Sequence, residues 1–162
     1  MAQVTVTYQG QASESVVVPV ALSAPSLFTA NQTGAGQAAA INAADGTVNT
    51  AANPVKAGGY ISLFATGEGQ TSPGGVDGRL AGTSPTRPVL PVSVTVGGML
   101  ATVQYVGAAP GQVAGLMQVN VQIPAGVELG GYVPVVLQVG DRASSPAVWI
   151  AVAGIPAGPA VQ

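Results

Sequence analysis

The chain carries four basic and six acidic residues, and four of these ten fall in one glycine-rich stretch. Glu68, Asp77, Arg79 and Arg87 lie between Gly67 and Leu90, so any polar chemistry is concentrated there. Histidine and cysteine are absent from the sequence. That removes Ser-His-Asp and Cys-His catalysis and most transition-metal sites. The acids are Glu14, Asp45, Glu68, Asp77, Glu128 and Asp141, and Glu68 with Asp77 is the one pair expected on a shared loop. A glycosidase needs two carboxylates facing across a cleft. Two solvated loop carboxylates, Asp77 in an Asp-Gly turn, is the reading preferred, and no catalytic residue is assigned. Calcium takes six to eight oxygens, usually from clustered carboxylates. Glu68, Asp77 and loop carbonyls are therefore calcium candidates, although no Asp-x-Asp spacing accompanies them. Gly67-Glu-Gly-Gln-Thr-Ser lacks the lysine and following helix of a phosphate loop. The chain is read as no enzyme.

Hydrophobic residues make up 48% and charged residues 6% of the 162, against about 25% charged in typical soluble domains. The apolar residues alternate with Thr, Ser, Gln and Gly, and no run approaches the roughly 20 needed for a spanning helix. Four scattered basic residues and a net charge of -2 provide no cationic stripe for nucleic acid and no basic membrane-surface helix. Neither nucleic acid nor membrane insertion is expected. The first residues show no signal peptide. Scarce Lys with abundant Thr, Ser, Gly and Gln leans toward an exported surface protein whose leader lies elsewhere.

The elements that would position the charged loop are strands. Val4, Val6 and Tyr8, then Val16, Val18 and Val20, alternate about a glycine-containing turn and predict a hairpin. Pro25 ends that run, and Asp45-Gly46 marks a tight turn between Ala38–Ile41 and Thr47–Asn49. Tyr60 to Ala65 is a buried strand leading into the loop. Beyond it, Gly97-Gly98 joins Val92–Val96 to Ala101–Tyr105 as a hairpin. Met117 to Ile123 alternates until Pro124; Val133 to Val139 and Val148 to Val152 close the pattern about Gly140-Asp141. No convincing helix appears. A loop as long as Gly67–Leu90 is expected to be a contact surface or to cover a sheet edge. Trp149, out of phase with Val148, Ile150 and Val152, is placed on an outer face. It joins Glu68, Asp77, Arg79 and Arg87 as a partner-contact candidate. Tyr60, Tyr105 and Tyr132 with Trp149 could stack a sugar, but core packing is the simpler assignment.

The chain also echoes itself. Val4-Thr-Val6-Thr-Tyr8 with Val18-Pro-Val20-Ala matches Val135-Val-Leu137-Gln-Val139 with Val148-Trp-Ile150-Ala, with one residue of slack. Gly10 falls opposite Gly140 and Ser15 opposite Ser145. Residues 1–22 are therefore expected to be the closing hairpin of a preceding module, or added strands. Residues 23–154 would be one module and 155–162 a flexible tail, the whole being a piece of a tandem array.

Ala24-Pro-Ser-Leu-Phe-Thr29, Ala40-Ile-Asn-Ala-Ala-Asp-Gly-Thr-Val-Asn49, Ala52-Asn-Pro-Val-Lys-Ala-Gly58, Ile61-Ser-Leu-Phe-Ala-Thr-Gly-Glu-Gly-Gln-Thr-Ser-Pro73, Val94-Thr-Val-Gly-Gly98 and Gly115-Leu-Met-Gln-Val-Asn-Val-Gln-Ile-Pro-Ala-Gly126 occur in this order. The set resembles the uncharacterised C-terminal domain repeated across Solibacter and other Acidobacteria exported proteins, a family similar to Ig-like IPT/TIG modules. The resemblance implies an Ig-like sandwich outside the cytoplasm and brings no activity or catalytic residues. Together the readings predict an all-β, immunoglobulin-like sandwich of about seven to nine antiparallel strands with one long glycine-rich loop. The expected role is structural or adhesive. The alternatives are self-assembly into oligomers or filaments by β-strand addition, or carbohydrate binding. Expected partners are neighbouring modules, identical subunits, a glycan or a surface protein.

Overall fold

The computed structural model describes residues 1–154; the expected tail, 155–162, lies outside the described residues. Every regular element among them is a strand, and no helix is long and apolar enough to cross a membrane. The N-terminal hairpin comprises β1 (Ala2–Val4), β2 (Thr7–Tyr8), β3 (Gln11–Ala12) and β4 (Val16–Val18). The next segment contributes four short strands: β5 (Ser26–Leu27), β6 (Gly36–Gln37), β7 (Ala40–Asn42) and β8 (Val55–Lys56). After β9 (Tyr60–Thr66) the loop holds β10 (Thr71–Ser72) and β11 (Arg87–Pro88). The remainder is β12 (Val92–Val96), β13 (Met99–Ala108), β14 (Met117–Gln122), β15 (Gly130–Val139), β16 (Arg142–Ala143) and β17 (Val148–Ala153).

Seventeen strands correct the expectation of about nine. The surplus is in two- and three-residue pairings that loop segments make with distant strands, which period-two reading does not detect. Glycines at the expected turns bear out the hairpins. Val96 pairs with Met99 across Gly97 and Gly98, both at positive φ, the geometry a two-residue hairpin needs. Asn42 and Thr47 bond across the Asp45-Gly46 turn.

The long sheet runs β5-β9-β14-β13-β12-β15-β17-β6, with β7 also on β9 and β8 also on β17. Two strands change partner along their length. β13 pairs with β12 through Met99–Ala101 and then with β14 from Thr102 onward. β15 pairs with β17 near Val133 and with β12 from Val135 to Val139. These changes curl the sheet. Its inner face is the period-two set: Ile61 and Leu63 on β9, Val94 and Val96 on β12, Val119 and Val121 on β14, Val135 and Leu137 on β15, and Ile150 on β17, all 0% exposed. Each such side chain contributes about 1.5–3 kcal/mol by burial.

The segment from Ser26 to Ala57 closes the curl by pairing alternately with the two strands at its ends. β5 and β7 run antiparallel to β9, whereas β6 and β8 run parallel to β17. The carbonyls of Ala147, just before β17, and of Trp149 and Ala153 on it accept from the amides of Gly36, Ala38 and Ala57. Between the pairings of β6 at Val148–Trp149 and of β8 at Val152–Ala153, the Asn49 side chain fills the ladder at Ala151. Its Nδ2 donates to the Ala151 carbonyl at 3.0 Å and its Oδ1 accepts from the Ala151 amide at 2.8 Å. Gln37 Nε2 donates to the same Oδ1 at 3.0 Å, and Asn49 Nδ2 donates to Asn42 Oδ1 at 3.0 Å. Asn49 is 0% exposed, so its amide is a buried segment of sheet ladder.

Asn49→Ala leaves the Ala151 amide without its partner in the interior and removes the side-chain donor from the Ala151 carbonyl. The expected cost is about 3 kcal/mol, read as a lowered urea midpoint at unchanged slope. Asn49→Asp, which places a carboxylate against the Ala151 carbonyl, should destabilise at least as much.

Candidate functional site

The charged loop leaves β9 through Gly67-Glu68-Gly69. Gly67 has φ +80° and an added Cβ would lie 1.9 Å from the Ala24 carbonyl oxygen; Gly69 has φ +76° and its Cβ would lie 2.1 Å from the Leu22 carbonyl oxygen. Side chains are excluded at both positions, and the Ala24 amide donates to the Gly67 carbonyl at 2.9 Å. The chain at 22–24 thus lies directly on the loop entrance. Glu68, between the two glycines, is held 7% exposed. Its Oε2 is buried with no hydrogen-bonding group in reach. Burial pushes the Glu68 carboxyl above its ordinary value.

The rest of the loop is ordered by pairing. Thr71 faces Pro88 and Ser72 faces Arg87, which corrects the picture of a stretch without strands. Further on, the loop straps across the turn between β13 and β14. The Ala81 amide donates to the Gln112 carbonyl and the Ala114 amide to the Arg79 carbonyl, each at 2.8 Å; the Ala108 amide donates to the Thr86 carbonyl at 2.8 Å. These bonds occupy backbone groups of Ala108 at the end of β13 and of Gln112 and Ala114 in the turn beyond it.

Folded this way, Glu68 and Asp77 line one concavity of about 370 Å³ together with Gln70, Thr71 and Thr86. Asp77 is exposed. Arg79 lines a neighbouring concavity of about 490 Å³ formed by the outer part of the same loop. The Arg87 guanidinium carbon lies 5.6 Å from the centroid of the Tyr105 ring, within cation–π range. The Tyr105 hydroxyl donates to the Ala108 carbonyl at 2.7 Å. Burial raises the Tyr105 pKa, Arg87 pulls it down and the Glu68 charge raises it further. Glu68, Arg87 and Tyr105 are therefore one electrostatic neighbourhood.

Of the five contact candidates, Glu68 and Asp77 share the concavity, Arg87 borders it through Tyr105, Arg79 lies beyond it, and Trp149 stands apart. Trp149 is half-buried on β17, paired with Pro134 on β15 and Gln37 on β6. Its ring meets that of exposed Tyr132 edge-on, centroids 5.5 Å apart at 60°. Two rings at that angle do not form the flat platform on which a sugar face would lie. Asp45 stabilises its own turn: its Oδ1 accepts from the Thr47 hydroxyl at 2.6 Å and amide at 3.0 Å, which lowers its pKa. Sequence reasoning did not single out Gln70, Thr71 and Thr86 as neighbours of Glu68. The glycines flanking Glu68 were the available signal, since Gly-x-Gly marks a close backbone approach that holds the residue between.

Comparison of the chain with protein-family models, curated proteins and solved structures finds no match.

The raised Glu68 pKa has a stability signature. The fold favours the protonated carboxyl over the unfolded chain, so this contribution is fully present below about 4.5, the ordinary value, and is lost as pH rises through the raised value. With chelator present, urea midpoints of wild type and Glu68→Gln should diverge across that window. The variant loses less stability toward neutral pH.

Proposed function

We propose that the chain is a non-catalytic, extracellular structural module that associates with like modules through its N-terminal hairpin. The pairing order supports an immunoglobulin-like sandwich. The series β5/β7–β9–β14–β13 parallels the A-B-E-D sheet of that fold, and β12–β15–β17 parallels its C-F-G sheet. A first segment shared between both sheets adds to the match. The sequence lacks histidine and cysteine, which supports a non-catalytic reading. Export rests on the resemblance to the Acidobacteria C-terminal domain and on composition.

One observation carries the association. The N-terminal hairpin repeats the closing hairpin bond for bond while lacking what covers it. Thr7 pairs with Ala12 and Tyr8 with Gln11; Gln138 pairs with Ala143 and Val139 with Arg142 in the same register. The Ser13 amide donates to the Val6 carbonyl at 2.8 Å while the Val6 amide donates to the Ser13 hydroxyl at 3.0 Å. The Ser144 amide and hydroxyl make the same two bonds with Leu137, at 2.8 and 3.0 Å. The pairing sets Val17 and Val18 in the places of Trp149 and Ile150, which corrects the sequence echo of this second strand by two residues and puts Val20 on Val152. On the closing hairpin Val135, Leu137, Val139 and Val152 are 0–2% exposed, whereas their counterparts Val4, Val6, Tyr8 and Val20 are 46–73% exposed. β1 to β4 pair only among themselves. An uncharged apolar face with this pattern is the face that a like module covers in its own closing hairpin, and leaving it in water forgoes about 25 cal/mol per Å².

A second copy of the chain is the test partner. Light scattering from micromolar to millimolar concentration should show association that disappears in the double variant Val6→Glu/Val18→Glu, with the urea midpoint of the body unchanged. A wild-type chain that stays monomeric throughout, with Val6 and Ser13 amides exchanging freely, would remove the reading.

A further inference from the structure

We propose that the concavity under the charged loop is a binding site for one hard divalent cation, calcium by preference, with Glu68 the anchoring ligand and Asp77 the second. The two carboxylates line the same roughly 370 Å³ space. Among the described residues neither forms an ion pair; the single ion pair is Arg142 with Asp141 at 3.9 Å. A buried carboxylate oxygen without a partner costs the fold its full desolvation penalty. Oε2 of Glu68 is such an atom on a side chain 7% exposed.

Protonation removes the charge but adds no protein partner for Oε2, which has none among the described residues. Arg87 does not relieve it, since its guanidinium lies over the Tyr105 ring. A cation supplies the charge and the coordination at once.

The lining suits calcium better than the alternatives. The sequence has no His or Cys, so nitrogen- and sulfur-seeking metals have no ligand set; no three carboxylates gather among the described residues either, so the two acids share any shell with neutral oxygens. Calcium accepts a mixed shell of carboxylate, amide, hydroxyl, carbonyl and water oxygens in flexible geometry. Gln70, Thr71, Thr86 and the backbone at Gly74 and Gly75 line the same space. Magnesium demands a tighter octahedron and keeps its waters. Two carboxylates with neutral oxygens place the affinity with extracellular modules, at a dissociation constant of about 10⁻⁴–10⁻³ M.

The test uses the full chain and terbium as the probe, excited through Tyr105, whose phenol already senses the Glu68 charge. The expected result is saturable terbium emission displaced by calcium and not by equimolar magnesium. Glu68→Gln and Asp77→Asn should each weaken it by about tenfold or more, and Asp141→Asn should leave it unchanged. Calcium should also raise the Tm of the wild type and EDTA reverse the rise. Should Glu68→Gln fail to fold, by near-ultraviolet circular dichroism, exposed Asp77→Asn decides alone. No emission, emission indifferent to both substitutions, or a Tm indifferent to calcium and EDTA would each overturn the site and leave Glu68 as a buried protonated or hydrated carboxyl.

Discussion

The fold depends on closing a curled sheet whose two end strands, β9 and β17, would otherwise carry rows of unpaired amides and carbonyls. Unsatisfied buried backbone groups cost about as much as a lost hydrogen bond each, and an open edge invites pairing with other chains. One segment, 26–57, satisfies both edges by crossing between them. It can meet only part of β17 with its own backbone because it must return to β9 in between. The Asn49 amide bridges the gap at Ala151, presenting a donor and an acceptor in the positions a strand would. Apolar residues of the required size exist elsewhere in the chain, but none could serve here. A side-chain amide offers a separate donor and acceptor, as a peptide group does.

The closure also places the candidate site. β9 is held on one side by β14 and on the other by β5 and β7, so its last residue, Thr66, delivers the loop to a fixed point. The chain entering β5 passes over that point at Ala24, close enough that only glycine fits at 67 and 69. Glu68, between these two close approaches, is held 7% exposed. The segment that closes the curled sheet and the segment that packs on the loop entrance are thus continuous, and a disturbance at the seam should be felt at the loop entrance.

Much of this was legible in the sequence. Alternation gave Tyr60–Ala65, Val92–Val96, Met117–Ile123 and the hairpin about Gly140-Asp141, and glycine pairs gave the turns. Those signals are local, since period two and positive φ are set within a few residues. The sequence did not disclose the parallel pairings of Gly36–Gln37 and Val55–Lys56 with β17, which exist only through tertiary docking of short segments. Asn49 reads as a polar residue after a turn, because its partner is 102 positions away. Glu68 reads as a solvated loop acid for the same reason: the chain at 22–24 that packs on its flanking glycines is more than forty positions away. Trp149 was legible as outward-facing, since phase along a strand is a local property.

The duplicated hairpin bears on how much a local motif can accomplish alone. Val6 with Ser13 and Leu137 with Ser144 form the same pair of bonds at the same distances, so the hairpin geometry is encoded within about a dozen residues. A two-stranded hairpin is only marginally stable by itself in water. The closing copy gains its stability by burying Val135, Leu137 and Val139 against the body, and the N-terminal copy presents an equivalent face uncovered. Identical local encoding with opposite burial separates formation of the element from its docking. The first is encoded within residues 2–18, and the second requires a surface of the kind that the body of this fold supplies.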